Sequence, residues 1–178
     1  MVKRSRLVFI GLHIIAWIIF IGLCVEAGGL IVNFIFTMFK PEVLPNLYQK
    51  LDLSEMYNSS KWAFFGIYSF ILVISVLKAM MFYVVIMLLL RFDWSKPFSS
   101  YVADQISKIS YYTLSIGLLS YAARQTARSL QHYGFEINTL NQFWADSRAF
   151  VLMAAIIYVI ASIFSRGVEI QKENDLTI

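Results

Sequence analysis

The sequence contains few charged residues, three prolines and a single cysteine. Only 15% of its 178 residues are Asp, Glu, Lys or Arg, whereas soluble domains carry about 25% of these residues. Hydrophobic residues make up 59% of the chain, which is more apolar surface than so short a chain can bury in a water-soluble core. Cys24 has no second cysteine to pair with, so an intrachain disulfide is excluded. The composition therefore favours a protein that uses the lipid bilayer as its solvent.

Recognisable catalytic and metal-binding motifs are also lacking. The chain contains no HExxH, GxSxG, GxxxxGKS/T or paired-cysteine motif. Its acidic residues are scattered along the chain and indicate no metal site. His13 and His132 are predicted at opposite sides of the membrane. We therefore expect a protein without enzymatic activity, cofactor or bound metal.

Four apolar stretches instead predict an all-α integral membrane four-helix bundle, with residues 1–178 forming a single membrane domain. Each stretch is near the roughly 20 residues that a helix needs to cross the hydrocarbon core. The predicted spans cover residues 7–39, 62–90, 105–128 and 147–166, and a tail follows at residues 167–178. The uncharged run from Leu7 to Cys24 is longer than the roughly 7–15-residue apolar region of a signal peptide. We expect the first span to be retained as a membrane anchor.

Residues that flank the spans predict the orientation and the loops. Lys3, Arg4 and Arg6 precede the first span, and cytoplasmic flanks carry an excess of Lys and Arg. We therefore expect the N-terminus in the cytoplasm, and four crossings return the C-terminus to the same side. Capping-box-like spacing between Asp52 and Glu55 predicts a short extracytoplasmic amphipathic helix from about Leu53. The stretch from Tyr101 to Lys108 predicts an interfacial lead-in to the third span.

Polar residues at helical spacing within the apolar stretches predict an intramembrane polar seam. Residues three or four positions apart lie on one face of a helix. An ionisable residue near the midplane costs roughly 2.5–3.5 kcal/mol on insertion scales, so such residues are candidates for a ligand site. The seam comprises Glu26 and Asn33 on the first span, Lys78 on the second, and Ser120, Arg124 and Arg128 on the third.

The rise of about 1.5 Å per residue puts Glu26 and Arg124 at similar heights in the membrane. We therefore predict an ion pair between them, with Arg128 and Asp146 as competing partners. Lys78 is expected to lie deeper, with His13 as its nearest candidate neighbour. In a structural interpretation the ion pair locks two helices together and Lys78 reaches the interface along its own stem. In a functional interpretation a polar pocket opens outward between the first, third and fourth helices.

The most distinctive run ends the chain, Arg166-Gly-Val-Glu-Ile-Gln-Lys-Glu-Asn-Asp-Leu-Thr-Ile178. It resembles the closing motif of small bacterial membrane proteins called domain of unknown function 2975 (DUF2975). Glu26-Ala27-Gly28, Lys96-Pro97-Phe98-Ser99 and Ile109-Ser110-Tyr111-Tyr112 resemble the version found in Bacteroidetes-type bacteria. The resemblance implies a location in the bacterial inner (cytoplasmic) membrane and no established activity. Because members are often encoded beside a small helix-turn-helix regulator, it also implies a membrane partner for that regulator.

The tail itself permits contact with a partner. Glu169, Glu173 and Asp175 make it acidic, and Leu176 and Ile178 are candidate apolar anchors. A DNA-binding regulator has a basic face that would attract such a tail. The alternative interpretation is a solvated continuation of the fourth helix.

The sequence therefore indicates a non-enzymatic sensor or regulatory binding protein that engages a cytoplasmic partner, such as a helix-turn-helix regulator, through its tail. The lipid bilayer is the other expected partner. We expect no direct binding of nucleic acid, and homo-oligomerisation stays open. One alternative is an accessory subunit of a larger membrane complex. A second is a small transporter or channel, in which Lys78 or Glu26 would affect flux.

Overall fold

Six helices account for almost all of the described chain. The computed structural model describes residues 2–40, 53–93, 97–135, 140–144 and 146–175. The helices are α1 (Val2–Phe39), α2 (Ser54–Ser59), α3 (Lys61–Leu90), α4 (Ser100–His132), α5 (Asn141–Trp144) and α6 (Ser147–Asp175). These ranges contain no strand, so the all-α prediction is confirmed for them. The short helix expected from about Leu53 is α2, and the expected lead-in from Tyr101 is the first part of α4.

Short polar motifs set where the long helices begin and end. Ser60 and Ser99 precede α3 and α4, and each side chain accepts a hydrogen bond from a backbone N–H three residues later, at 3.3 Å. Such caps satisfy N–H groups that have no partner inside the helix. After α4 the chain reaches Gly134, whose φ of +91° lies in the left-handed region that glycine adopts without a steric penalty. The helix therefore stops where a residue with a side chain would be strained.

The four long helices pack in the order of the chain. α1 packs mainly on α3, α3 packs on α4, and α4 packs most extensively on α6. The short helix α2 lies against α3, and the short helix α5 lies against α4. The ring of Phe9 lies 5.0 Å from that of Phe92, and the Arg91 guanidinium lies 5.4 Å from the Tyr101 ring. The start of α1, the end of α3 and the start of α4 therefore meet at one end of the molecule.

A compact apolar cluster lies at the opposite end, between the first half of α3 and the second half of α4. Its largest buried side chains include Phe64 and Tyr68 of α3 and Trp144 of α5. The Tyr68 hydroxyl donates a 3.0 Å hydrogen bond to the backbone carbonyl of Leu30, which joins α1 to this cluster. The cluster contains buried residues of α1, α2, α3, α4 and α5 and therefore connects five helices.

The side chains of α4 are arranged in the reverse of the pattern expected in water. In its middle part several hydroxyl-bearing and small residues are buried and several large apolar and aromatic residues are exposed, although Ile116 is also buried. The buried set is Ser110, Thr113, Gly117 and Ser120, and the exposed set is Tyr111, Leu114, Leu118 and Tyr121. The Ser110 hydroxyl donates a 3.0 Å hydrogen bond to the carbonyl of Ala154 on α6. Polar groups of α4 are thus placed between helices.

Three helices are long and apolar enough to cross a membrane. They lie at Val8–Phe39, Lys61–Leu90 and Asn141–Asn174. Many of their large apolar side chains are exposed, among them Ile18 and Ile163. Within the part of the chain that the structure describes, α4 does not meet the same combination of length and hydropathy. The molecule therefore has the character of a membrane protein with at least three helices suited to crossing.

Gly117 tests the close approach of α4 and α6. A Cβ atom at this position would lie 2.8 Å from Val151 Cγ2 and 3.0 Å from the Val151 backbone nitrogen. We expect Gly117→Val to lower the free energy of unfolding by about 1–3 kcal/mol, the usual cost of overpacking. Thermal unfolding of the detergent-purified protein measures this loss.

The matched control is Gly66→Ala on α3, because a Cβ there has no atom within 4 Å. This change should leave stability equal or slightly higher, since alanine favours the helix over glycine by about 0.5–1 kcal/mol. Equal stability of the Gly117 variant and the control would contradict the described helix contact.

Candidate functional site

The polar seam on α4 is buried only in its first part. Ser120 is buried on the same face as Gly117. Beyond Ser120 the buried positions are Ala123 and Ala127, so the stripe moves one residue away from the predicted arginines. Arg124 is half-buried and has an interaction partner, and Arg128 is exposed. The basic part of the seam therefore lies at the edge of the apolar cluster.

Two contacts place the seam residues of α1 and α3 in one stretch of the structure. The rings of Phe20 and Tyr83 lie 6.1 Å apart, and Tyr68 is hydrogen-bonded to Leu30. Glu26 and Lys78, which are both half-buried, lie between these two contacts on their respective helices. The two charged side chains therefore occupy a shared region along the α1–α3 interface.

The ion pair between Glu26 and Arg124 stays a prediction, as do the alternatives with Arg128 and Asp146. α1 packs mainly on α3, and Arg124 belongs to α4. The position of His13 is more informative. Its side chain accepts a 3.0 Å hydrogen bond from Trp17 Nε1. His13 lies on α1 between Phe9, which contacts Phe92 just after α3, and Phe20, which contacts Tyr83 near the end of α3. The proximity of His13 to Lys78 stays a prediction.

Asn33 occupies an unusual position on α1. It is half-buried, and its amide Nδ2 is enclosed without a hydrogen-bond partner among the described residues. One turn later the buried Thr37 hydroxyl donates a 2.8 Å hydrogen bond to the Asn33 backbone carbonyl. A buried donor without a partner costs about 1–3 kcal/mol, so the Asn33 amide is a destabilising feature of α1.

The tail continues α6 as a helix up to Asp175. Gly167 lies against the Phe98 ring, and Val168 is buried. Glu169 is exposed and forms a salt bridge with Arg166, in which Arg166 donates a 2.8 Å hydrogen bond to the Glu169 carboxylate. Glu173 is exposed and has an interaction partner.

The structure therefore locates only some of the residues in the predicted partner-binding tail. The first turn after Arg166 is packed against the segment before α4, and the exposed charged surface begins at Glu169. Leu176 and Ile178 lie outside the described residues.

An apolar groove of about 240 Å³ lies between α3, α4 and α6. It is lined by Met81, Val85, Ile109, Thr113, Ala149, Phe150, Met153 and Ile157. Its one hydroxyl, on Thr113, already donates a 2.7 Å hydrogen bond to the Ile109 carbonyl. Specific sites for small molecules combine apolar walls with a few convergent polar groups, so this groove has the chemistry of a lipid-facing surface.

A second cavity, of about 210 Å³, lies where α6 begins. It is lined by Leu118 and Tyr121 of α4 and by Ser147, Arg148 and Val151 of α6. Ser147 is 1% exposed, and its hydroxyl has no hydrogen-bond partner among the described residues. The sequence analysis missed this cavity. In the sequence, Ser147 and Arg148 mark the start of an apolar run, but this pattern does not show that Ser147 is buried.

Several polar side chains among the described residues take part in helix packing. The part of the chain that the structure describes contains no cluster of three or more His, Cys, Asp and Glu residues that could hold a metal ion. On α4 the side chains of Ser110, Thr113 and Ser120 are buried, and the hydroxyls of Ser110 and Thr113 are hydrogen-bonded to backbone carbonyls. At the start of α6, the unpartnered Ser147 hydroxyl and the Arg148 side chain belong to the wall of the cavity.

Asn33 and Thr37 provide a paired test of the α1 interface. Asn33→Leu removes the unpartnered amide, and we expect it to raise the free energy of unfolding by roughly 1 kcal/mol. Thr37→Val removes a hydroxyl that has a partner, so stability should stay equal or fall by up to about 1 kcal/mol. Thermal unfolding in one detergent compares the two variants. A loss of stability in Asn33→Leu would show that the amide has a partner.

Comparison with known proteins identifies the family. The family model described as "Protein of unknown function (DUF2975)" matches residues 46–178. The matched region begins after α1 and includes α2 to α6. No curated protein and no solved structure matches the chain. The resemblance to the Bacteroidetes-type version stays a prediction. The predicted family is confirmed, and the chain belongs to the DUF2975 family.

Proposed function

We propose that the chain crosses the bacterial inner membrane four times, and that α4 crosses it in addition to α1, α3 and α6. The exposed residues of α4, such as Leu114 and Leu118, suit contact with lipid. Its buried hydroxyls lie against α3 and α6. Ser110 donates a hydrogen bond to the Ala154 carbonyl of α6, and Thr113 lies 3.3 Å from Met81 Sδ of α3 and donates to the Ile109 carbonyl of α4 itself. A helix of modest average hydropathy is stable in lipid when its polar side faces other helices. This supports a four-helix arrangement with a central, partly polar helix.

Both termini are proposed to lie in the cytoplasm. The start of α1, the end of α3 and the start of α4 meet at one end of the molecule, and Phe98 and Phe164 bring α6 to the same end, with ring centroids 5.3 Å apart. Arg91 and Arg166 lie there, together with the basic N-terminal residues. Lys and Arg are enriched on the cytoplasmic flanks of membrane helices, which supports this orientation.

The orientation is testable with single cysteines in a Cys24→Ser background. Lys172 and Arg128 are exposed at opposite ends of the molecule. A membrane-impermeant maleimide added to intact cells should label Arg128→Cys, and Lys172→Cys should react only after the inner membrane is opened. The reverse labelling pattern would contradict the proposed orientation.

The function we propose is a non-enzymatic regulatory binding protein that contacts a cytoplasmic partner through the end of α6. The observation that carries this proposal is the continuation of α6 as a helix past Arg166 to Asp175, with Glu169, Lys172 and Glu173 exposed. Packing of Gly167 and Val168 fixes the direction of this segment. A small basic protein such as a helix-turn-helix regulator fits a surface of this kind.

The partner contact is testable with charge reversal in the full-length chain. We expect the Glu169→Lys, Glu173→Lys double variant to lose a cytoplasmic protein that the unchanged chain retains in a mild-detergent pull-down. The contact should also weaken with increasing salt, because exposed charges are screened. The chain that ends at Val168 keeps the buried anchor and should lose the same protein.

Arg128→Glu is the matched control, because it changes an exposed charge at the opposite end. Retention of the same protein by all variants would contradict a tail contact. Unchanged transcription of the partner's target genes after deletion of residues 169–178 would contradict regulation through the tail.

The surface of α1 favours an accessory subunit as the second candidate. α1 contacts mainly α3, and large side chains such as Ile18, Phe36 and Trp17 are exposed along it. Such a surface suits lipid or another membrane protein. Purification in a gentle detergent should then recover an additional integral membrane protein, and recovery of the lone chain would contradict this candidate.

A further inference from the structure

The start of α6 offers hydrogen-bond donors beside an open cavity. Ser147 is 1% exposed, lines the cavity of about 210 Å³, and has a hydroxyl without a partner among the described residues. The first N–H groups of a helix have no partner inside the helix, and the helix dipole makes this end partly positive. The Phe150 N–H donates a 3.0 Å hydrogen bond to the Asp146 carbonyl and so begins the hydrogen bonding of the helix. The N–H groups that lack a partner within the helix are therefore those of the residues before Phe150 in α6.

The chemistry of the cavity walls is mixed. Arg148 adds a guanidinium at its edge, and Leu118 and Val151 supply apolar walls. The Tyr121 hydroxyl is 3.5 Å from Gln125 Nε2. Donors and positive charge on one side, with apolar walls on the other, suit a molecule that carries an anionic group and an apolar chain.

The height of the cavity along α6 agrees with the position of lipid headgroups. No charged residue lies between Arg148 and Arg166, and a rise of 1.5 Å per residue separates them by about 27 Å. The hydrocarbon core of a bilayer is about 30 Å thick. If Arg166 lies at one interface, Arg148 lies at the other, which is where lipid phosphates are found.

We propose that the start of α6 binds the phosphate group of a membrane phospholipid. The Ser147 hydroxyl, the first backbone N–H groups of α6 and the Arg148 guanidinium donate to the phosphate oxygens. Leu118 and Val151 contact the first part of an acyl chain. The proposal requires that α6 crosses the membrane and is independent of the tail contact.

Asp146 favours a lipid over free phosphate as the source of this group. Its exposed side chain immediately precedes Ser147, and its negative charge opposes anion binding. A lipid phosphodiester linkage carries one negative charge, whereas a phosphate monoester or inorganic phosphate approaches two near neutral pH. The acyl chain adds apolar contact that inorganic phosphate lacks. The site therefore fits the lipid better.

The test is native mass spectrometry of the full-length protein in detergent, titrated with phosphatidylglycerol. Diacylglycerol with the same acyl chains is the control lipid without phosphate. Arg148→Gln should reduce bound phosphatidylglycerol about tenfold, since a hydrogen bond to a charged group contributes about 1.5–3 kcal/mol and each 1.4 kcal/mol is a tenfold change. Arg91→Gln, at an exposed arginine at the opposite end of the molecule, should bind as the unchanged protein does.

Ser147→Ala separates binding from folding. Removal of an unpartnered buried hydroxyl should leave the lipid-free protein equally or more stable, while phosphatidylglycerol binding falls. Ser162→Ala, which removes an exposed hydroxyl bonded to the Tyr158 carbonyl, is the matched control and should not affect binding.

Three results would overturn the proposal. Equal binding of phosphatidylglycerol and diacylglycerol would show apolar contact without phosphate recognition. Unchanged lipid binding in both Arg148→Gln and Ser147→Ala would place the lipid elsewhere. Displacement of phosphatidylglycerol from the unchanged protein by millimolar inorganic phosphate would identify the site as one for a soluble anion.

Discussion

The close contact between α4 and α6 is the constraint on which the rest of the structure depends. At Gly117 the absence of a side chain lets the α6 backbone approach, with Val151 and Phe150 directly opposite. The same approach brings the Ser110 hydroxyl within hydrogen-bond distance of the Ala154 carbonyl. Small residues at such contacts let helices approach where lipid provides no hydrophobic force between them.

This contact also explains how α4 combines polar residues with a membrane environment. Its hydroxyl-bearing face lies against its neighbours, while Leu114, Leu118 and Tyr121 are turned outward. A helix in water would place these groups in the opposite way. Where lipid surrounds a helix, large apolar side chains can stay exposed, so close packing and hydrogen bonding decide which face is buried.

Much of the fold follows from the sequence because long apolar runs and cap residues are local signals. The capping-box-like spacing that predicts α2 and the long apolar runs are examples. The order of helix packing is different. Helix rise estimates the height of Glu26 and Arg124, but it does not show that α1 packs mainly on α3.

The candidate site was harder to predict from the sequence, because it too depends on how the helices pack. Arg124 and Arg128 continue the spacing of the polar face, yet Ala123 and Ala127 take the buried positions. Adjacent residues on a helix differ by about 100° in direction, so a broad stripe does not decide which of two neighbours faces inward. The buried Ser147 also depends on how α6 meets α4, which no local pattern shows.

The apolar part of α1 is longer than the hydrocarbon core of a bilayer is thick. It extends over 32 residues, Val8–Phe39, or roughly 48 Å, whereas the hydrocarbon core measures about 30 Å. A helix of this length fits a bilayer by tilting or by thickening the lipid beside it. In a bilayer, hydrophobic mismatch would therefore give the α1 side of the protein a preference among neighbouring lipids.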